Sequence, residues 1–289
     1  MRYPPSQLRP GAGFLSRHAG SVRKLNAILV SRDNPRVKRW ARLGRDGRFR
    51  KREGRLLLEG PHLLAAALQH GLAPLAVLAT ERALLEPEIA SLLRQAGRAP
   101  VILAESLFRR VVEAESPPGI AAEIALPASG SELGHPCVLL EGVQDAGNVG
   151  AIVRSAAAFG ARTLVVDRDC ADPWSPKALR AGMGGHFALQ MREVAGLEEA
   201  LEHFEGRLVC AVPRDGKPLG EADLSGPIGW LFGSEGRGVS AALQDRADLR
   251  VTIATAPGTE SLNVAAAAAI CLYEGCRRRG GFSTPAAKS

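Results

Sequence analysis

The sequence predicts an α/β protein, with a smaller mixed α/β unit over residues 24–126 and a mainly parallel sheet flanked by helices over residues 137–279. Three observations predict it. Short apolar runs alternate with helix-length amphipathic segments along most of the chain. In the second half these runs are unbroken, as in CVLLE, TLVVD, RLVCAV, GWLFGS and RVTIA, which is the pattern of strands buried on both faces and so of a parallel sheet. A stretch of small and turn-forming residues, LPASGSELGHP, separates the two regions and predicts a linker over 127–136.

The elements follow in order. Residues 1–23 are rich in Pro, Gly and Arg without periodicity and read as a disordered basic tail. Because the first acidic residue is Asp33, an Arg-rich organellar import segment is the alternative reading of that stretch. Asn34-Pro35 opens a helix, with Asn as N-cap and Pro in the first turn, that continues through RVKRWARL. Strand LLLEG, helix PHLLAAALQHG, strand LAVLA, a helix through LLEPEIASLLRQAG, strand VILA, a helix through SLFRRVVEAE and a strand in GIAAEIAL complete the first unit. Beyond the linker the five apolar runs alternate with helical segments, the last of them Ala-rich, and residues 280–289 read as a tail.

Charge is distributed unevenly. The 289 residues carry a net charge of +7, but residues 1–56 hold 16 Lys and Arg against 3 Asp and Glu, an excess of 13 that leaves −6 for the rest. A basic arm on a near-neutral or acidic body is built to meet a polyanion, and phosphate backbones are the commonest such partner. The candidate contacts are Arg36, Lys38, Arg39 and Arg42 on the first helix and Arg48, Arg50, Lys51 and Arg52 behind it. A solvated helix face is the plainer alternative; the density of the run favours nucleic acid. The five cysteines, Cys137, Cys170, Cys210, Cys271 and Cys276, are odd in number and widely spaced, which argues for buried thiols in a reducing cytoplasm rather than a disulfide scaffold or a metal site. No apolar run approaches the roughly 20 residues that span a bilayer, so no membrane partner is expected.

Three stretches follow strands directly, where ligands of parallel sheets gather. They are EGVQDAGNVGAIVR (141–154), FGSEGRG (232–238) and TESLNVAAAAA (259–269). The second has the spacing G-x-x-G-x-G, which fits neither the dinucleotide fingerprint nor the phosphate loop. Asn148 reads as the cap of a helix beginning at Val149, with Arg154 inside an otherwise apolar helix. An unpaired guanidinium against a packed face is costly, so Arg154 must meet an anion or lay its stem on apolar surface with its head in water.

Together the three loops resemble the signature motifs of the SpoU (TrmH-like) RNA ribose 2′-O-methyltransferases of the SPOUT superfamily. The residues concerned are Asn148 with Arg154, Phe232-Gly-Ser-Glu-Gly-Arg-Gly238, and Glu260-Ser-Leu-Asn263. Residues from SRDNPRVKRWARL to SPPGIAAEI also resemble the small RNA substrate-binding domain that often precedes the catalytic domain in this family. The family's Ile is kept as Ile253, but the Pro and Met that usually follow it are replaced by Ala254 and Thr255. The resemblance implies a deep C-terminal trefoil knot, a homodimer with sites near the subunit interface, and S-adenosyl-L-methionine (AdoMet) as methyl donor. It implies Gly233, Ser234, Gly236, Gly238, Ile253 and Leu262 as cofactor contacts. Arg154, Asn148, Glu235, Ser261 and Asn263 are then the catalytic set, with Glu235 holding Asn148 or its own loop in place. The implied substrate is structured RNA, most simply ribosomal RNA; a tRNA methyltransferase and a non-catalytic RNA-binding or assembly factor of the same fold are the alternatives.

Overall fold

The computed structural model describes residues 28–130, 133–202, 204–258 and 260–281. The expected N-terminal tail, with its import-segment alternative, and all but the first two residues of the expected C-terminal tail lie outside the described residues. The chain opens with α1 (Pro35–Arg45), α2 (Gly47–Glu53), β1 (Arg55–Glu59), α3 (Pro61–Gln69), β2 (Ala76–Ala79), α4 (Pro87–Ala96), β3 (Val101–Ile102), α5 (Glu105–Val111) and β4 (Ile120–Ala125). These strands form a four-stranded sheet in the order β1-β4-β2-β3, with β4 antiparallel to both neighbours and β2 parallel to β3. Asn34 caps α1 as its sequence predicts, its side chain accepting from the Arg36 amide at 2.9 Å. The helix α2 was not legible in advance, because its charged residues show no apolar period; Asp46 starts it by accepting from Phe49 N at 2.9 Å.

Then come β5 (Cys137–Glu141), α6 (Ala146–Ala158), β6 (Thr163–Val166), α7 (Pro176–Gly182), β7 (Gln190–Glu193), α8 (Leu197–Leu201), β8 (Arg207–Ala211), β9 (Lys217–Pro218), β10 (Ile228–Gly233), α9 (Ala241–Arg246), β11 (Leu249–Thr252) and α10 (Val264–Arg278). Their strands make one seven-stranded sheet, β7-β6-β5-β10-β8-β11-β9, parallel throughout. All six residues of β10 and all four of β6 are buried, so the unbroken apolar runs correspond to strands covered on both faces. The two strands absent from the sequence reading, β7 and β9, are the sheet's edges. Their residues, QMRE and KP, are largely polar because an edge faces water. Burial pushes the thiols of Cys137, Cys170, Cys210 and Cys271 up to about 12, and all five cysteines are free.

Three ion pairs join the two halves of the chain, Arg180–Glu59, Arg50–Asp172 and Lys51–Glu193. Arg180 on α7 donates to the buried Glu59 of β1 at 2.9 Å, while Glu59 also accepts from the amides of Glu113 and Ala114. Arg50 of α2 donates to Asp172, just before α7, and to the Leu43 carbonyl at 2.7 Å. On its other side α7 meets α6 so closely that a Cβ at Gly150 would overlap the Ala178 carbonyl.

His186 follows α7 and is buried beside Trp174, with ring centroids 5.4 Å apart. Its Nε2 lies 2.8 Å from the Pro173 carbonyl, and Nδ1 has no partner among the described residues. Burial holds its pKa down at about 4, against an ordinary 6.5. A depressed histidine stabilises the fold above its unfolded pKa, and that stability is lost as pH falls from 6.5 toward 4. Denaturant unfolding is expected to show this residue costing about 2 kcal/mol between pH 7 and pH 5, a dependence that His186→Asn removes.

Candidate active site

The order of the large sheet reverses between β5 and β10. From β5 the chain steps outward to β6 and β7, whereas β10 has β8 on its other flank. A crevice forms at such a switch point, outside the carboxyl ends of the strands. Here those ends are Glu141 and Gly233, which are register partners. Glu141 accepts from the Ser240 amide at 2.7 Å, fastening the loop after β10 to the end of β5. Asp167, at the end of β6, accepts from the amide of Gly142 at 3.1 Å.

The helix α6 begins earlier than its sequence suggests. Asp145, not Asn148, is the cap, accepting from the Asn148 amide at 3.0 Å while Lys177 donates to it at 2.6 Å. An anionic cap also favours the positive end of the helix, and the ammonium of Lys177 holds the Asp145 carboxyl below the usual range. Asn148 therefore sits in the first turn with its side chain free for other work. Its amide nitrogen donates to Glu235 in the loop after β10, and its carbonyl oxygen accepts from Asn263 Nδ2 at 3.1 Å. Asn263 in turn caps α10, accepting from the amides of Ala265 at 2.9 Å and Ala266 at 3.3 Å. One carboxamide thus ties together the loops that follow β5, β10 and β11.

The loop after β10 turns back on itself. The Ser234 carbonyl accepts from the Gly238 amide at 2.9 Å, and its hydroxyl accepts from the Arg237 amide at 3.3 Å. Gly233 permits this turn, because a Cβ there would overlap the backbone of Gly238 and Val239. Gly238 adopts φ +66, whereas Gly236 has open space around it. Ile253 is partly buried against the core, and Leu262 is 36% exposed. Ser261 is exposed, with no hydrogen bond among the described residues.

Arg154 is exposed on α6, and its guanidinium has no hydrogen bond or ion pair among the described residues. It therefore reaches water in the isolated chain. Six residues after Asn148, it is displaced by about 240° around the helix, so the two side chains leave different faces.

Of the basic candidates, Arg36, Lys38, Arg42, Arg48, Lys51 and Arg52 are exposed. Arg39 and Arg50 are corrected. Arg39 makes a two-pronged contact with the buried Glu123, at 3.0 and 2.7 Å, and Trp40 donates to the same carboxylate at 2.7 Å. Arg50 is only 4% exposed and is held by Asp172 and main-chain carbonyls. A run of cations does not reveal which of them the fold itself neutralises. Sequence reasoning also missed Glu141, Asp145 and Asp167; the acids ending LLE and VVD, directly after apolar strands, were the available signal. Among the described residues no group of three or more His, Cys, Asp or Glu is placed to hold a metal ion, and no helix is long and apolar enough to cross a membrane.

Residues 135–273 match the model of the SpoU rRNA Methylase family, and residues 34–122 match that of the MRM3-like substrate binding domain. A protein of Synechocystis, described as an uncharacterized tRNA/rRNA methyltransferase, is 34% identical over 272 residues, covering 90% of this chain and 97% of that one. A 23S rRNA guanosine 2′-O-methyltransferase of Bacillus subtilis is 30% identical over 247 residues, covering 85% and 97%. The crystal structure of the SpoU methyltransferase AviRb from Streptomyces viridochromogenes in complex with AdoMet superimposes with a TM-score of 0.76 at 28% identity, covering 85% of this chain and 99% of the other.

Proposed function

The chain belongs to the SpoU rRNA methylase family, and from that premise we propose that it transfers the methyl group of AdoMet to a ribose 2′-hydroxyl of ribosomal RNA. The observation that carries this reading is the Glu235–Asn148–Asn263 chain, which gathers three loops at the switch point of the sheet. The residues present fit the cofactor. At Gly236 and Gly238, where a Cβ would meet open space, a ligand can approach main chain that no side chain screens, and the apolar Ile253 and Leu262 are partly open to receive a flat ring.

AdoMet supplies an already activated methyl group on a sulfonium centre. The chain's own work is to align that group with the ribose oxygen and to ease loss of the hydroxyl proton. An arginine guanidinium remains protonated in proteins, so Arg154 acts as a cation and not as a base. It grips the phosphate beside the target ribose and favours the developing alkoxide, and the proton leaves to solvent. Asn148, Asn263 and Ser261 orient hydroxyl and donor; Glu235 fixes the Asn148 amide.

The chain works as a homodimer. Ala266, Ile270 and Tyr273 leave an apolar stripe on α10, with Tyr273 set edge-on to Phe159, the residue after α6, ring centroids 5.8 Å apart. A second copy against this face covers the stripe and gives Arg154, turned away from Asn148, a neighbouring site to serve. The loops after β10 and β11 are threaded as a trefoil knot, a reading favoured by how closely the turn at Gly233 packs. Residues 24–126 bind RNA and 137–279 carry the chemistry, and five unpaired cysteines suit the cytoplasm.

The test is incubation with AdoMet labelled in its methyl group and an unmodified 23S rRNA transcript, followed by nuclease digestion and mass spectrometry. A 2′-O-methylated nucleoside is expected. Label on a base, or no label in any RNA, overturns the reading, and label confined to tRNA overturns the choice of ribosomal substrate.

A further inference from the structure

A cleft of about 420 Å³ opens where α2 meets the carboxyl ends of β6 and β7. Arg48 and Lys51 stand on one wall, and Asp167, Arg168 and Glu193 on the other. The two walls are held at a fixed spacing by Arg50 with Asp172 and Lys51 with Glu193.

The charges divide into committed and open groups. Asp172 is taken by Arg50 and the Trp174 amide, and Glu193 by Lys51. Asp167 accepts from the amides of Gly142, Asp169 and Cys170. Arg48 is exposed, and its guanidinium has no hydrogen bond or ion pair among the described residues. Arg168 uses only Nε, on the Ala195 carbonyl at 2.9 Å, so its two terminal nitrogens are open among the described residues. Every lining acid is thus neutralised or hydrogen-bonded, while two guanidiniums keep donors to spare, a pairing suited to phosphate.

The cleft also lies on the same carboxyl edge as the active site. β6 is the neighbour of β5, and Asp167 is bonded to Gly142, the first residue after that strand. We propose that this cleft is a subsite for one nucleotide of the RNA strand flanking the modified ribose, its phosphodiester held by Arg48 and Arg168. The proposal rests on the methyltransferase reading and extends it. A volume of this size suits a single nucleotide, and α2, which carries the exposed cations Arg48, Lys51 and Arg52, forms one wall of it.

The experiment compares Arg48→Ala and Arg168→Ala with Arg98→Ala, an exposed cation outside the cleft that removes the same charge. Filter binding to an unmodified 23S rRNA transcript is measured across a salt series, with AdoMet affinity and melting temperature alongside. Each cleft variant is expected to bind RNA roughly 5- to 10-fold more weakly and to lower the salt slope by about 0.7, with AdoMet affinity and melting temperature unchanged. Arg98→Ala is expected to match the parent. Cleft variants indistinguishable from Arg98→Ala, or a loss of affinity without a change of slope, overturn the proposal. A parent protein that binds this RNA yet methylates no ribose overturns the functional reading instead, and the binding data still decide the cleft.

Discussion

Arg154→Ala is expected to lower the rate of methyl transfer at saturating RNA and AdoMet by about 10²- to 10³-fold, equivalent to about 3–4 kcal/mol of lost transition-state stabilisation. Its AdoMet affinity is expected to stay at the parent's. The reasoning starts from burial: the side chain is exposed and makes no hydrogen bond or ion pair among the described residues. Removing it therefore leaves no orphaned partner, and melting temperature should not move. What is lost is a cation that is useful only when an RNA phosphate and a developing alkoxide are beside it. Arg154→Lys retains the charge without the two-pronged geometry and is expected to recover only part of the rate. A lysine variant with near-parental turnover and unchanged RNA affinity contradicts the clamp.

Gly233→Ala acts on the opposite half of the reaction. A single methyl group there would overlap the Gly238 carbonyl and the Val239 nitrogen, so the turn closed by Ser234 and Gly238 must open. Overpacking of a buried strand end costs about 1–3 kcal/mol. The displaced loop also carries Glu235, and with it one anchor of Asn148. Calorimetry is expected to show AdoMet binding weakened by at least about 100-fold, while circular dichroism shows a folded protein with a lowered melting temperature. Gly236→Ala is the matched control for stability, since a Cβ at that position meets open space. Equal loss of stability in both variants contradicts the steric account.

How far the sequence led depends on which forces leave a local trace. Burial on both faces leaves one, so β5, β6, β8 and β10 were visible as apolar runs, whereas β11 was legible as RVTIA although only Val251 of its residues is buried. Edge strands leave almost none, and β7 and β9 were missed. At α6 two residues of capping type stand three apart, and spacing alone chose Asn148 where the backbone uses Asp145. The expectation that Glu235 would hold Asn148 corresponds to a hydrogen bond in the structure, although it came from resemblance and not from periodicity. Ion pairs across the fold were invisible. Arg39 and Arg50 read as two more members of a basic run, yet Glu123 and Asp172, which claim them, lie 84 and 122 residues away. The cleft beside α2 was hidden for the same reason, being formed by segments more than a hundred residues apart.

The central claim is that the loops after β5, β10 and β11 enclose one donor site that an Arg154 serves. Its most direct test is a crystal structure of the protein with AdoMet. The account predicts the adenine between Ile253 and Leu262, the donor against the main chain at Gly233, and an Arg154 guanidinium, from the same or a second subunit, facing the methyl group. A donor bound away from the switch point between β5 and β10, or Arg154 remote from it in every subunit, would contradict the account.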